Sequence, residues 1–425
     1  MSAMASSQHR AVAALSLSPP DHDGLAAIAA SHQAMIEQTL SWSRINSGSS
    51  HLAGLRAMAQ TLMPSLHALP GELLVRDLPP TNSLLADGTE RSQENGQGLH
   101  LQVRAQAPIQ IALTGHYDTV FGAEHPFQAP LAEADGQIIG PGMADMKGGI
   151  SVMLTALRAF EASPGAERVG YQVFLSPDEE TGSLASASWL DRIGRESQIG
   201  LTYEPAMADG ALAAARKGSG KFSLVIRGRA AHAGRDFASG RSALAAAARC
   251  VARLDGGNGK QDGVTFNIGR IDGGGPLNIV PDLAIIRFEA RAPDAASRQW
   301  ALDHIQHVLA AVQSEEGITA QLHGHFHRPP KPRTPEIEGL LDHAALCSRA
   351  LGFDLHWRDT GGVCEGNNLA AAGCPNVDTL GPIGGNLHSS DEFVRVDSFV
   401  PRAQLSFLML RSLVSGALIP PARRS

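Results

Sequence analysis

Six histidine and acidic residues of the chain could meet around metal ions. They are His116, Asp145, Glu179, Glu180, Glu204 and His388. Imidazole and carboxylate groups are ligands of divalent metals such as zinc. A set with one carboxylate to bridge two ions, and a spare carboxylate to accept a proton from water, is what a two-metal hydrolase needs.

Taken singly, each of these residues also has an ordinary structural interpretation. His116 is compatible with a structural histidine, and His388 with a surface loop. Asp145, in the segment GPGMADMKGG, is compatible with an acid that caps a helix. Adjacent acids such as Glu179 and Glu180 are common in solvated loops. Chemistry is therefore indicated by the whole set and not by any one member.

The elements that must position these residues follow an alternating pattern. Residues 109–113, 171–175 and 199–203 are apolar runs typical of buried strands, and residues 148–162 and 183–193 have the pattern of helices. Strands that alternate with helices predict an α/β sheet. His116, Glu179, Glu180 and Glu204 come just after predicted strands, where open α/β sheets place their ligand sites.

The pattern changes near residue 216. Between 216 and 328 the predicted order is strand, helix, strand, strand, helix, strand, which is the ferredoxin-like split βαβ arrangement. The predicted elements are strands 221–229, 264–271, 283–291 and 318–327 and helices 242–254 and 295–314. The α/β pattern then resumes, with helices 337–351 and 398–415 and strands 355–358 and 376–380. The sequence thus predicts a domain of residues 216–328 inserted into a domain of residues 25–215 and 329–425.

Two other segments have a polar, irregular composition. Residues 1–24 are expected to be a flexible extension, and residues 88–98 a surface loop. Residues 25–69 have helical periodicity.

Composition excludes several classes of partner. The formal net charge is -7 and only five lysines occur, so nucleic-acid binding is not expected. The N-terminus lacks a signal-peptide pattern and no apolar run is long enough to span a membrane. Four cysteines without CxxC spacing fit a reducing cytoplasm better than a disulfide framework.

Beyond these patterns, the chain resembles the M20 family of di-zinc metallopeptidases, especially its glutamate carboxypeptidase and acetylornithine deacetylase-like branch. The resemblance covers residues 25–425 and rests on GHYDTV, GPGMADMKGG, SPDEETGS, YEPA, RKGSGKFSLVIRGRAAHAG, GPLNIVPD, TGG and GPIGGNLHSSDEF, in that order. It implies a catalytic α/β domain with a central mixed sheet flanked by helices, plus an inserted α+β ferredoxin-like lid or dimerisation domain.

The resemblance also implies roles for the metal-site residues. Asp145 is expected to bridge two zinc ions, with cobalt or manganese as alternatives. His116 and Glu204 would complete one metal site. Glu180 and His388 would complete the other. Glu179 would then be the general base, and Asp118 would orient the imidazole of His116.

Substrate-binding roles are implied in the same way. The resemblance suggests that His232 reaches across a homodimer to the carbonyl oxygen in the transition state. Arg291 and Arg328 would hold a substrate carboxylate, although both are also compatible with surface salt bridges. Other residues expected near the substrate are Asn278, Gly361 and Gly362.

The chain departs from the family pattern after these glycines, where VCEGNN occupies residues 363–368. Cys364 is expected to be a small buried residue, with a redox-sensitive thiol as the alternative. Because this loop helps to shape the pocket, the departure leaves the substrate open.

Hydrolysis of an amide bond next to a free amino-acid carboxylate is the function that the resemblance favours. In this family, Glu at the position of Glu204 goes with carboxypeptidases and deacylases, whereas Asp goes with aminopeptidases and dipeptidases. A dipeptidase and a catalytically inactive small-molecule-binding homologue are the alternatives. The complete ligand set and Glu179 disfavour the inactive homologue.

Overall fold

The computed structural model describes residues 15–423. Within that range the helices are α1 (Pro19–Ala30), α2 (His32–Ser43), α3 (Leu52–His67), α4 (Gly148–Glu161), α5 (Ala187–Glu196), α6 (Ala243–Asp255), α7 (Ala295–Gln313), α8 (Pro335–Ala350), α9 (Glu365–Ala371) and α10 (Phe399–Ser415). The strands are β1 (Glu72–Arg76), β2 (Thr81–Leu84), β3 (Glu90–Gln93), β4 (Gly98–Val103), β5 (Ile109–His116), β6 (Gln137–Ile139), β7 (Val169–Ser176), β8 (Ile199–Thr202), β9 (Leu212–Arg216), β10 (Gly218–Arg227), β11 (Thr265–Gly273), β12 (Leu283–Ala292), β13 (Thr319–Arg328), β14 (Trp357–Thr360), β15 (Asn376–Val377), β16 (Gly384–Gly385) and β17 (Phe393–Arg395).

A six-stranded mixed sheet forms the centre of the molecule. Its strand order is β1-β4-β7-β5-β8-β15. The β1–β4 and β4–β7 pairs are antiparallel, whereas β5 is parallel to both β7 and β8, and β8 is parallel to β15. Every residue of β7 and β8 is buried, as expected for strands covered on both faces. The predicted α/β class with a central mixed sheet is confirmed.

Helices α4 and α10 pack against each other beside this sheet and contribute to its largest hydrophobic core. Met153 and Leu157 of α4 and Leu405 and Phe407 of α10 are almost completely buried there. Burying such side chains contributes about 1.5–3 kcal/mol each before the cost of ordering them. The rigid core keeps the ends of the central strands, and the residues that follow them, in fixed positions.

The stretch 216–328 contains a second, four-stranded antiparallel sheet in the order β11-β12-β10-β13. Helices α6 and α7 cover one face and form a separate core with residues such as Phe222 and Ile286. The predicted β-α-β-β-α-β order is therefore confirmed. The exact domain boundaries and the lid role stay predictions.

The structure differs from the sequence-based expectations at several element ends. Helix α1 begins at Pro19, and buried Asp21 accepts a hydrogen bond at 2.8 Å from Arg411 on α10, so residues 19–24 are not a flexible extension. Residues 1–14 of that prediction lie outside the described part. The predicted loop 88–98 contains β3, which pairs with β2, because polar strands at an exposed edge lack a hydrophobic signal.

Two further elements are shorter than expected. Helix α5 begins at Ala187, after a turn in which Asp178 accepts hydrogen bonds from the backbone amides of Ala185 and Ser186. The strand expected at residues 376–380 has only two residues.

Within residues 15–423, no helix combines the length and the apolar character needed to cross a bilayer.

Candidate metal centre

Three neighbouring parallel strands end at the same edge of the central sheet. His116 is the last residue of β5. Glu179 and Glu180 follow the end of β7, and Glu204 follows the end of β8. The alternation seen in the sequence therefore brings four predicted site residues to one location, the carboxyl end of the strands.

Asp145 lies between two imidazoles and offers one carboxylate oxygen to each. Its Oδ1 is 3.0 Å from Nε2 of His116, and its Oδ2 is 3.3 Å from Nε2 of His388. Glu204 Oε2 lies 3.8 Å from the same nitrogen of His116, and Glu180 Oε2 lies 3.2 Å from Nε2 of His388. We call these five residues the metal cluster. Asp145 thus lies between His116 and Glu204 on one side and His388 and Glu180 on the other.

Asp118 contacts His116 on the side of the ring opposite to the other members of the metal cluster. Its buried carboxylate lies 3.2 Å from Nδ1 of His116, on the side of the ring away from Asp145. It also accepts hydrogen bonds from the backbone amides of Glu179 and Glu180, each at 3.2 Å. One carboxylate thus orients the imidazole and fixes the loop that carries the two glutamates.

Glu392 positions the other side of the metal cluster, a role that we did not predict from the sequence. It is 1% exposed and accepts hydrogen bonds from the backbone amides of Gly142, Ala144 and Asp145 at 3.0–3.2 Å. Burial, followed by the charge of Asp145, raises its pKa to about 7. Glu392 lies in the motif GNLHSSDEF, in which His388 is the predicted site residue.

The peptide bond between Asp145 and Met146 is cis.

The electrostatics of the metal cluster fit cation binding. Burial, followed by the charge of Asp145, raises the pKa of Glu180 to about 8. Burial also raises the pKa of Glu204 to about 7, and one oxygen of Glu204 is buried without a hydrogen-bond partner among the described residues. Burial by itself would lower the pKa of His116, but Asp118, Asp145 and Glu204 raise it well above its usual value. Crowded, poorly solvated carboxylates of this kind are stabilised by divalent cations.

Two overlapping triads of possible ligands have their atoms within 4.8 Å of one another. They are His116 with Asp145 and Glu180, and His116 with Glu179 and Glu204. The donor set of nitrogen and carboxylate oxygen suits zinc and neighbouring transition metals.

A cleft of 670 Å³ opens over the metal cluster, and Arg291, Arg328 and Gly362 also line it. Arg291 is partly exposed; it donates to the carbonyl oxygen of Gly361 at 2.5 Å and pairs with Glu289 at 3.0 Å. Thus the structure brings most predicted substrate-binding residues into the same cleft as the metal cluster.

Arg328 is far more enclosed than Arg291, since it is 1% exposed. Its guanidinium donates to Oε1 of Glu179 at 2.5 Å, to Ser183 at 3.0 Å and to Asn368 at 2.8 Å. All three partners are groups of the protein itself. Arg328 is therefore held beside Glu179, the predicted base, by internal hydrogen bonds.

His232 and Asn278 lie together but outside the residues that line the cleft of the same chain. They occupy adjacent loops, in which the amide of Ala233 donates to the carbonyl of Asn278 at 2.8 Å. The Nδ1 atom of His232 accepts from the amides of Gly234 and Arg235 at 3.1 Å each.

The segment VCEGNN, residues 363–368, borders the cleft through Val363. Cys364 is buried, as expected, and burial raises the pKa of its thiol. Glu365 is completely buried; its Oε1 accepts from Ser176 at 2.5 Å, and its Oε2 has no partner among the described residues. Burial raises the pKa of Glu365 well above its usual value.

A buried ionic network next to this segment was missed at the sequence level. Asp378 binds Arg216 at 2.9 Å and Lys331 at 2.7 Å, and all three side chains are nearly inaccessible. Their positions in the sequence, 216, 331 and 378, give no local signal of this contact.

Comparison with known proteins identifies the relatives of this chain. A sequence model described as "Peptidase family M20/M25/M40" matches residues 112–412. A succinyl-diaminopimelate desuccinylase of Thioalkalivibrio sulfidiphilus is 25% identical over 339 residues, covering 76% of this chain and 88% of the relative. Carboxypeptidase G2 of a Pseudomonas species is 25% identical over 329 residues, covering 76% and 78%.

A solved tripeptidase structure from Staphylococcus aureus has the same fold. It superposes with a TM-score of 0.69 at 23% identity and covers 89% of this chain and 99% of that chain. Since the family match spans residues 112–412, the chain belongs to peptidase family M20/M25/M40, and the predicted metal-dependent hydrolysis of amide bonds is confirmed at the level of this family.

Proposed function

We propose that the protein hydrolyses an amide bond next to a free amino-acid carboxylate, in an N-acyl amino acid or at the C-terminus of a peptide. The observation that carries this proposal is one cleft lined by four of the five residues of the metal cluster (all but the buried His116), by Glu179 and by the partly exposed cation Arg291. A hydrolytic centre and a carboxylate anchor within one cleft suit this substrate class.

The metal cluster would hold two divalent ions, with zinc preferred and cobalt or manganese as alternatives. Asp145 would contribute to both sites, His116 and Glu204 to one, and Glu180 and His388 to the other. When bound, such ions lower the pKa of a water molecule and polarise a carbonyl group.

Glu179 is the proposed general base. Its carboxylate is near His116 and Glu204, yet its Oε1 is held by Arg328. In this role the carboxylate accepts a proton from the attacking water and returns it to the nitrogen of the leaving amine.

Arg291 is the proposed anchor for the substrate carboxylate, because its guanidinium is partly exposed and can form a planar, bidentate contact. The backbone amide of Gly362 already donates to Oγ1 of Thr360 at 3.2 Å, so it would have to leave that partner to bind the substrate. Arg328 would act mainly by holding Glu179 in place.

Glu204 favours a carboxypeptidase or deacylase over a dipeptidase. The named relatives are consistent with that choice, since one is a desuccinylase and the other a carboxypeptidase. The tripeptidase likeness supports the fold and leaves the substrate open.

We also propose a homodimer in the cytoplasm. His232 and Asn278 lie outside the cleft of their own chain, which supports their delivery by a second copy; closure of the inserted domain over its own cleft is the alternative. Leu277 and Ile279, beside them, are 101% and 43% exposed, which suits an interface. All four cysteines are buried and none of them is in a disulfide, consistent with a reducing compartment.

The test is to load the purified protein with zinc or cobalt and to measure amine release from N-acetyl, N-succinyl and N-aroyl amino acids, peptides and dipeptides. Hydrolysis of N-acyl amino acids or C-terminal peptide bonds supports the proposal. Cleavage of dipeptides alone would favour the dipeptidase, and no cleavage by metal-loaded protein would favour an inactive homologue.

A further inference from the structure

A second cavity extends the cleft across the inserted sheet. This groove, of 810 Å³, lies between the β2–β3 hairpin and the sheet of β10, β11, β12 and β13. Lys221, Glu289 and His327 line both the groove and the cleft over the metal cluster. The two cavities are therefore adjacent, and a substrate that leaves the cleft past these three side chains would enter the groove.

Strand register explains why this face of the sheet is polar. Side chains alternate along a strand, so residues two apart share a face. Lys221 lies opposite Glu289 and His325, and Ser223 lies opposite Arg287 and His323. The other face carries the apolar residues that pack under α6 and α7.

The groove has a local excess of positive charge, although the whole chain carries a formal charge of -7. Arg270 and Arg287 both line it and both bind the single carboxylate of Asp272, at 2.6 Å and 3.0 Å. Two guanidinium groups on one carboxylate leave one positive charge unbalanced.

The two acids that line the groove have partners of their own. Glu90 of the hairpin lies 3.2 Å from Nδ1 of His323. Glu289 accepts from Ser219 at 2.6 Å and pairs with Arg291 at 3.0 Å. Since His323 is charged only when protonated, Glu90 is counted as an acid, and four cations in and beside the groove (Lys221, Arg270, Arg287 and Arg291) then face three acids (Glu90, Asp272 and Glu289). One positive charge remains in excess and is available to a ligand.

We propose that the groove is an extended subsite for the acyl side of a peptide substrate, and that Arg287 and Arg270 bind a carboxylate side chain there. This inference rests on the proposed function. The leaving group is a single amino acid whose own carboxylate is anchored at Arg291, so only the acyl side is long enough to reach the groove.

The geometry also sets the length of the substrate. Arg287 and Arg291 lie on the same face of β12, four residues apart, which is about 13 Å along a strand. An extended peptide covers about 3.3–3.6 Å per residue. The acidic residue is therefore expected about four residues before the C-terminus.

The experiment compares two N-acetylated pentapeptides with the same C-terminal residue and either Glu or Gln at the first position. At low ionic strength the Glu peptide should have a kcat/KM about three- to tenfold higher, as for a partly exposed charge-assisted contact. The preference should shrink with added salt.

Arg287→Gln should bring the ratio of the two peptides close to one and leave hydrolysis of a short N-acetyl amino acid unchanged. Arg270→Gln should reduce the ratio as well. Arg249→Gln is the matched control, because Arg249 lies on α6 of the same sheet domain and pairs with Glu315 outside the groove.

The outcomes separate this inference from the proposed function. Equal rates for the Glu and Gln peptides in the wild-type protein, with short substrates still cleaved, would overturn the subsite alone. A preference that survives both Arg287→Gln and Arg270→Gln would do the same. Failure to cleave any of these compounds would overturn the proposed function, and the subsite with it.

Discussion

Arg328 donates twice to Glu179, to the carboxylate oxygen Oε1 at 2.5 Å and to the backbone carbonyl at 3.1 Å. The same guanidinium is tied to Ser183 and Asn368 and is 1% exposed. An arginine whose donors are used within the protein is suited to orienting Glu179. Arg291 also has protein partners, Gly361 and Glu289, but its side chain is 34% exposed and can therefore reach a substrate carboxylate.

Substitution of the two arginines should therefore affect different kinetic constants. Arg328→Met should lower kcat about 10- to 100-fold with little change in KM, as when a residue that orients a reacting group is lost. Arg291→Met should raise KM and remove the preference for a free C-terminal carboxylate over its amide. Steady-state kinetics on the acid and amide forms of one peptide measure both effects.

Thermal melting of both variants controls for loss of structure. An Arg328→Met protein with raised KM and no preference for the free carboxylate would assign the anchor to Arg328 and contradict our interpretation.

Glu179→Gln should separate proton transfer from metal binding. The amide keeps the shape of the side chain but cannot accept the proton, so the rate should fall by about 10²–10⁴-fold. Metal content, measured by elemental analysis, should stay near that of the wild type. A variant that loses a metal ion would show that Glu179 is a ligand, as its closeness to His116 and Glu204 allows.

Asp145→Ala should be the most damaging change in the metal cluster. Asp145 lies against both His116 and His388, so its loss removes a ligand from both proposed sites at once. We expect less than one ion to remain per chain, against two in the wild type, and chelation of the wild type should abolish its activity. Active wild-type protein that contains only trace metal would contradict the two-metal proposal.

Mixing of two inactive variants tests whether His232 acts across a dimer. His232→Ala and Glu179→Gln proteins are combined in equal amounts under conditions that exchange subunits. If His232 acts in trans, half of the dimers are mixed and each has one intact site, which restores up to about a quarter of wild-type activity. If His232 acts within its own chain, every site keeps one defect and no activity returns despite proven exchange.

The ionic network of Asp378 should matter for stability. Asp378→Ala leaves Arg216 and Lys331 buried without their shared carboxylate, which should lower the free energy of unfolding by about 3–5 kcal/mol. Urea unfolding at pH 7 measures the loss. Asp191→Asn is the control: its pair with Arg195 is exposed, so the change should stay within about 0.5 kcal/mol.

The contribution of Asp378 should also depend on pH. Burial alone would raise its pKa, but Arg216 and Lys331 lower it to about 2 from an ordinary value of 3.8. Because the unfolded chain binds the proton more readily, the stabilisation is complete above about pH 4 and is lost as the pH falls toward 2. The difference in unfolding free energy between the wild type and Asp378→Asn should therefore shrink between pH 5 and pH 2.5.

The fold class, and the grouping of the residues of the metal cluster at one place, could be predicted from the residues of the chain alone. Apolar runs that end at His116, and before Glu179 and Glu204, required strands whose ends meet at one sheet edge. Motifs in a fixed order then supplied Asp145 and His388. These features are local, so a sequence can show them.

The pairing of distant residues could be seen only once the chain was folded. Glu392 on the amides around Asp145, Arg328 on Glu179, and Asp378 between Arg216 and Lys331 join segments far apart in the chain. The β2–β3 hairpin and the groove beside it could not be predicted for a related reason. Polar, exposed strands lack the alternating apolar pattern that identifies a strand in a sequence. Such contacts depend on how folded layers pack together, and no local pattern of residue types records that packing.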